Sequence, residues 1–124
     1  MMTEIETLHW ADGQVPPLWH QALDQTIAAS FGGWGLDKMP QAHRRCAVVG
    51  QGKVLSHAAA QSRVFALPTG SYTGYIIGGV CTAPGQRGHG MGTRVTLELL
   101  GALKRDGGRF AVLNCGAERL AFYR

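Results

Sequence analysis

The most informative segment of the sequence is Val80-Cys81-Thr82-Ala83-Pro84-Gly85-Gln86-Arg87-Gly88-His89-Gly90-Met91-Gly92. Apolar residues before it predict a buried strand, and apolar residues at helical spacing after it predict an amphipathic helix. The glycine-rich turn between them therefore opens a helix. The first N–H groups of a helix carry partial positive charge, and glycines let a ligand approach the backbone. This junction predicts a binding site for phosphate groups.

Two common phosphate-binding motifs do not fit this turn. The P-loop requires G-x-x-x-x-G-K-[ST], and no lysine follows the glycines here. The Rossmann fingerprint requires G-x-G-x-x-G near the first strand, with an acidic residue about twenty positions later. The spacing in residues 88–92 is different, and the preceding strand ends an antiparallel run. Both motifs are excluded.

The sequence around this stretch predicts one domain, residues 1–124, because a chain that is 45% hydrophobic and 16% charged can bury a single core. The fold class is α/β (α+β), with a mixed, mostly antiparallel sheet flanked by helices. The predicted strands are residues 5–10, 45–50, 53–67, 71–82 and 109–115. The predicted helices begin at Pro16-Pro17, at Gly90 and at Ala117, and a connector spans 34–43.

A pair of glycines interrupts the fourth predicted strand. The segment Ile76-Ile77-Gly78-Gly79-Val80 is apolar on both faces, which predicts a central, buried position. Glycines weaken a strand interior, so Gly78-Gly79 indicates either a structural bulge or a place where a ligand approaches the backbone closely.

Composition excludes several other classes of protein. The net charge of +4 suits a polyphosphate ligand, but no block of like charges predicts a nucleic-acid arm. The three cysteines are far apart and odd in number, which favours buried thiols over a disulfide framework or a metal site. Residues 1–10 contain Glu4 and Glu6 and lack an apolar core, so we expect no signal peptide, and no apolar segment approaches about 18 residues. We therefore expect a cytoplasmic protein without metal, nucleic-acid or membrane partners.

The glycine turn resembles the acetyl-CoA loop of the GNAT superfamily of N-acetyltransferases. The superfamily pattern [RQ]-x-x-G-x-[GA] is met by Arg87-Gly88-His89-Gly90-Met91-Gly92, and the order of predicted elements from Ile5 onward is also similar. Three short segments further resemble aminoglycoside 2'-N-acetyltransferases: Ser30-Phe31-Gly32-Gly33-Trp34, Leu55-Ser56-His57-Ala58-Ala59 and Thr73-Gly74-Tyr75.

The resemblance implies a GNAT-like acyl-CoA N-acyltransferase fold with acetyl-CoA as co-substrate and a small-molecule primary amine as acceptor. The amine would attack the thioester directly, and a backbone N–H of Val80 or a neighbour would stabilise the oxyanion. The implied cofactor-binding residues are Val80, Cys81, Thr82, Arg87, Gly88, His89, Gly90, Met91, Gly92, Thr93 and Asn114.

Tyr123 falls where the superfamily often places the tyrosine that protonates the departing thiolate, and a phenol with a pKa of about 10 suits that task. Packing on the sheet is the alternative role. Asn114 would contact the pantetheine or cap the following helix. The resemblance assigns no base. His57 is expected to be a core histidine unless it is the base or an acceptor contact, and Glu98 and Glu118 are expected to be solvated.

The sequence stops at Arg124, before the last strand pair that superfamily members have. The resemblance therefore implies an exposed edge on strand 109–115. A second copy would cover this edge in a homodimer, or the chain would be a truncated member. An N-acetyltransferase is the first hypothesis. The alternatives are a CoA-binding but catalytically incomplete module and a plain α/β structural or interaction domain.

Overall fold

The computed structural model describes residues 4–11, 14–39, 41–108 and 110–113. Within them lie the strands β1 (Ile5–Trp10), β2 (Arg44–Gly50), β3 (Lys53–Leu67), β4 (Gly70–Thr82) and β5 (Ala111–Leu113). The helices are α1 (Pro17–Ser30) and α2 (Met91–Arg105), and a single 3₁₀ turn covers Leu36–Lys38. The predicted element order is confirmed over these residues. The helix expected from Ala117 lies outside them.

The strands form one sheet in the order β1-β2-β3-β4-β5. The first four pair antiparallel, and β5 pairs parallel to β4. Strands that follow each other antiparallel can be joined by tight turns, whereas the parallel strand needs a crossover, which α2 supplies. The predicted mixed, mostly antiparallel sheet is confirmed.

Each face of the sheet packs against one helix. The face under α2 carries Cys46, Val48 and Ile77 against Val95, Leu99 and Leu103 of the helix. The opposite face carries Ala47, Val49, Val54 and Cys81 against Leu23 and Ile27 of α1. Alternate residues of a strand point to opposite faces, so β2 serves both cores.

The helices begin and end where local sequence requires it. Proline stands in the first turn of α1, where its missing N–H breaks no hydrogen bond. Gly107 follows α2 with φ +88°, and Lys104 and Arg105 place positive charge in the last turn of that helix. In the described part of the chain, neither helix is long and apolar enough to cross a membrane.

Two expectations about burial have different outcomes. Cys46 and Cys81 are free and buried as predicted, and burial raises the pKa of their thiols to about 12 and about 11. The segment 76–80 is not buried on both faces, which corrects the prediction. Ile77 is buried, but Ile76, Gly78 and Gly79 are only partly buried, because the connector residues beside them, Met39 and Ala42, leave a cavity against this face.

Candidate functional site

A bulge interrupts β4 at the glycine pair. Ala59 pairs with Gly78 and His57 pairs with Cys81, so one residue of β3 lies opposite two residues of β4, Gly79 and Val80. Gly79 has φ +64°, a conformation that side chains with a Cβ rarely adopt. The structural bulge predicted from Gly78-Gly79 is therefore present. The extra residue of a bulge is left out of the strand ladder.

His57 holds the bulge from the neighbouring strand. Its side chain is fully buried, and Nδ1 lies 2.8 Å from the carbonyl oxygen of Gly79. Since a carbonyl oxygen only accepts, Nδ1 donates. Burial lowers the pKa of His57 to about 4, so the imidazole is neutral at pH 7 and Nε2 is an acceptor, 3.3 Å from Nη1 of Arg45. The expected core histidine is confirmed.

Strand β3 holds the glycine-rich turn at both ends. The N–H of Ala83, where the turn begins, donates to the carbonyl of Leu55 at 2.8 Å. The Ser56 hydroxyl, on a fully buried side chain, donates to the carbonyl of Met91 at 3.0 Å, where α2 begins. Two neighbouring residues of one strand thus set the span of the turn and the start of the helix.

The N-terminus of α2 is suited to an anionic ligand. Gly90 precedes the helix in a left-handed conformation with φ +74°, no side chain caps the helix, and its first turn contains no acidic residue. A Cβ placed on Gly88 or Gly90 would meet no described atom within 4 Å, so the backbone is open to a ligand. Arg87 is exposed beside these glycines. Free helix N–H groups and a nearby cation fit a pyrophosphate.

Some of the other predicted cofactor-binding residues have buried side chains, and others are exposed. Cys81 packs in the cluster under α1, and Val80 packs against the cluster under α2. Because these two side chains are packed in the cores, Val80 and Cys81 would contact a ligand through their backbone atoms. Thr82 is partly buried. His89 and Thr93 are exposed. Asn114 and Tyr123 lie outside the described residues.

The candidate bases are not brought to one place. Glu98 lies on α2, half-exposed, with Oε2 3.9 Å from Nε2 of His9. His89 is exposed on the turn, and Glu118 lies outside the described residues. His57 contacts the bulge, but its one N–H proton is donated to Gly79 and its ring lone pair faces Arg45. It therefore positions the bulge rather than reaching an acceptor.

Sequence reasoning missed a cavity on the α1 side of the sheet. Its volume is about 140 Å³, and it is lined by Met39, Ala42, Arg45, Ala59, Gln61, Ile76, Gly78 and Gly79. Arg45 is 2% exposed. A charged residue at the start of an otherwise apolar strand was the signal in the sequence, because arginine is almost never fully buried unless it is paired. This cavity, called the Arg45 cavity below, adjoins the bulge.

Most of this chain is similar to a known protein family. A family model described as "Acetyltransferase (GNAT) domain" matches residues 18–124. Comparison with curated proteins gave no significant match.

Solved structures with the same fold include three acetyltransferases. An acetyltransferase of Trypanosoma brucei has a TM-score of 0.72 at 14% identity, over 97% of this chain and 89% of that chain. Glucosamine-6-phosphate N-acetyltransferase from Arabidopsis thaliana has a TM-score of 0.69 at 16% identity, over 99% of this chain and 88% of that chain. The aminoglycoside N-acetyltransferase AAC(6')-Iy in complex with CoA has a TM-score of 0.75 at 10% identity, over 99% of this chain and 84% of that chain. At these identities the likeness shows the fold.

Proposed function

The chain belongs to the GNAT acetyltransferase family, and on that premise we propose that it transfers an acetyl group from acetyl-CoA to a primary amine of a small molecule. The observation that carries the proposal is the open glycine turn at the start of α2, clamped to β3 by Ala83 and Met91. Its backbone N–H groups, with Arg87, would hold the pyrophosphate. Acetyl-CoA supplies the acetyl thioester.

The bulge would supply the part of the site where the acetyl thioester reacts. Residues 78–82 continue β4 beyond Ile77, the last residue whose pairing with β5 is described. An N–H left out of the ladder at Gly79-Val80 would donate to the carbonyl oxygen of the thioester and stabilise the oxyanion. Because the bulge is held by His57, this donor would be preorganised rather than recruited during the reaction.

The transfer forms a C–N bond, breaks the C–S bond, and moves one proton from the amine to the CoA thiolate. We assign the proton delivery to the Tyr123 phenol on the resemblance alone. A phenol and a thiol have pKa values within about two units of each other, so the proton transfer is close to balanced. Asn114 is assigned to the pantetheine on the same basis.

The acceptor is an amine by family, and two solved neighbours suggest where to search. One is named for aminoglycosides and another for glucosamine 6-phosphate. Both names refer to amino sugars. We propose this class as the first to be tested.

Calorimetric titration with acetyl-CoA, followed by CoA thiol release across a panel of primary amines, tests the proposal. The panel includes an aminoglycoside, glucosamine and glucosamine 6-phosphate. We expect binding, and thiol release with at least one amine. Binding without thiol release would support the alternative, a CoA-binding but catalytically incomplete module. No binding of acetyl-CoA would make both proposals wrong.

We further propose a homodimer through the strand predicted at 109–115. Among the described residues β5 has β4 as its single neighbour, and a strand with an open edge invites pairing with another chain. Light scattering during gel filtration is expected to give the mass of a dimer. A monomer at high protein concentration would contradict the homodimer without affecting the proposed acetyl transfer.

A further inference from the structure

The Arg45 cavity lies beside the proposed place of acetyl transfer. Gly78 and Gly79 of the bulge form part of its wall. The cavity shares Ala42 and Gln61 with a groove on the protein surface, so the two spaces adjoin and a ligand can enter from the groove. A group that is bound in the cavity is therefore held against the bulge.

The wall of the cavity is mostly apolar. Six of the eight described residues that line it have an apolar side chain or none: Met39, Ala42, Ala59, Ile76, Gly78 and Gly79. Apolar surface is more stable against another apolar surface than against water. The wall therefore favours an apolar occupant.

The two polar residues of the wall have partners within the protein. Arg45 is 2% exposed, and its Nη1 lies 3.3 Å from Nε2 of His57. Oε1 of Gln61 accepts from Nη2 of Arg63 at 3.0 Å, and Nε2 donates to the carbonyl of Gln41 at 3.4 Å. A polar group that entered the cavity would lose its hydrogen bonds to water and find these groups already bonded, which is unfavourable.

The volume of the cavity, about 140 Å³, sets the size of the occupant. Apolar cavities of roughly 150 Å³ in protein cores stay dry and bind benzene. Ala59 and Gly78 keep the space open, because they pair across β3 and β4 and neither has a side chain larger than a methyl group. A Cβ on Gly78 would meet no described atom within 4 Å. The space therefore fits a ring of the size of benzene or a branched alkyl chain.

We propose that the Arg45 cavity binds a compact apolar group of the acceptor, so that the amine to be acetylated is an alkylamine or an arylalkylamine. This inference rests on the proposed acetyl transfer. The apolar group fills the cavity, and the amine beside it is held at the bulge near Gly79. Ala59 limits the size of the group and is thereby a specificity-determining residue. The inference ranks apolar amines above amino sugars, whose hydroxyl groups would be buried here without partners.

The test compares amines of the same shape that differ in polarity. Isoamylamine is paired with β-alaninamide, and benzylamine is paired with 4-picolylamine. Thiol release by the wild type is expected to give a kcat/KM at least tenfold higher for the apolar member of at least one pair, because the polar atom of the other member would be buried without a partner. The pair with the larger ratio identifies an alkyl or an aryl group. Equal kcat/KM within both pairs would overturn the proposal.

Two variants change the size of the cavity in opposite directions. Ala59→Val adds two methyl groups to the wall and is expected to raise KM for the preferred apolar amine about tenfold, without changing the Kd for acetyl-CoA. Ala66→Val makes the same change at an exposed residue of β3 and is expected to alter neither value. Met39→Ala enlarges the cavity and is expected to raise kcat/KM for phenethylamine relative to benzylamine.

The gain expected in Met39→Ala keeps the test decisive if Ala59→Val does not fold, because damage to the fold would not improve activity toward a larger amine. Equal effects of Ala59→Val and Ala66→Val would overturn the proposal. So would an unchanged preference between phenethylamine and benzylamine in Met39→Ala.

A binding measurement separates this inference from the proposed function. The same four paired amines are titrated into the protein with saturating CoA, and binding is followed by the chemical shifts of backbone amides. If no amine releases thiol, the proposed function is wrong, yet the cavity still predicts that the apolar members bind more tightly to wild type than to Ala59→Val. The amide signals of Ala59 and Gly78 are then expected to shift. Equal or absent binding of the apolar members would reject the apolar subsite whether or not acetyl transfer occurs.

Discussion

Nδ1 of His57 donates a hydrogen bond of 2.8 Å to the carbonyl oxygen of Gly79, across the two strands that meet at the bulge. This contact settles which ring nitrogen carries the proton, and it leaves Nε2 to accept from Arg45. Desolvation lowers the pKa of His57 most, the Gly79 carbonyl opposes that shift, and the charge of Arg45 adds to it. A neutral imidazole therefore links the bulge to the cavity.

Stability should fall on acidification because of His57. Its pKa is about 4 in the folded protein, against 6.5 for a histidine side chain in water, so the unfolded chain binds more protons between these values. The contribution of His57 to the free energy of unfolding, about 3 kcal/mol, is fully present above pH 6.5 and is lost as the pH falls toward 4. Urea unfolding at several pH values from 7.5 to about 4.5 measures it.

His57→Gln and His20→Gln provide the comparison for this pH dependence. Glutamine does not titrate, so the His57 variant should lose the corresponding slope of stability against pH. His20 is exposed on α1, so His20→Gln is the control for replacing a histidine by glutamine. Identical slopes in all three proteins would contradict a neutral, buried His57.

Gly79→Ala should destabilise the fold. The position has φ +64°, and an added Cβ would lie 2.8 Å from Cε of Met39 and 3.2 Å from Cε1 of His57. We expect a loss of about 2 kcal/mol from strain and displaced side chains, seen in urea unfolding. Gly78→Ala is the matched control, because its Cβ meets no described atom within 4 Å and its φ is not positive. Equal losses at both positions would argue against a constrained bulge.

Ser56→Ala should weaken both the fold and the binding of acetyl-CoA. The substitution removes the 3.0 Å hydrogen bond to the Met91 carbonyl, worth about 1 kcal/mol. The start of α2 is then less firmly held, so the Kd for acetyl-CoA should rise several-fold in calorimetry. Ser62→Ala, on an exposed residue of the same strand, should change neither quantity. Unchanged acetyl-CoA affinity in Ser56→Ala would count against the clamp.

Gly90→Ala should reduce acetyl-CoA affinity at least tenfold. Its Cβ would occupy the open space at the first N–H groups of α2, and its φ of +74° disfavours a side chain. Gly85→Ala serves as the control, since Gly85 lies in the same turn with φ +87° and equally open surroundings. Both variants carry similar backbone strain of about 1 kcal/mol, so a difference in Kd reports the ligand site. Equal Kd values would place the pyrophosphate elsewhere.

Tyr123→Phe should lower kcat at least tenfold with little change in KM for acetyl-CoA. The substitution removes the phenolic proton while keeping the ring, so it separates proton delivery from aromatic packing. The measurement is steady-state thiol release with the best amine of the panel. Tyr72→Phe, at a half-buried tyrosine near the turn of the β3–β4 hairpin, is the control. An unchanged kcat in Tyr123→Phe would leave packing as the role of that ring.

Several expectations stay predictions. They are the cytoplasmic location, the homodimer, the amine acceptor, and the roles of Asn114 and Tyr123. Within the described residues the metal-ligating side chains form no group of three that could hold a metal ion.

Local patterns in the sequence were sufficient to predict the described strands, helices and glycine turn, because these elements depend on periodicity, prolines at helix starts and glycines at turns. The glycine pair in the fourth strand also predicted a bulge as one of two alternatives, the other being a close approach of a ligand to the backbone. The tertiary structure was needed to show that Ser56 contacts Met91, that His57 contacts Gly79, and that Arg45 contacts His57 beside a cavity. Those contacts join residues 35, 22 and 12 positions apart, so they depend on how the strands and α2 pack together and not on the local spacing of residues.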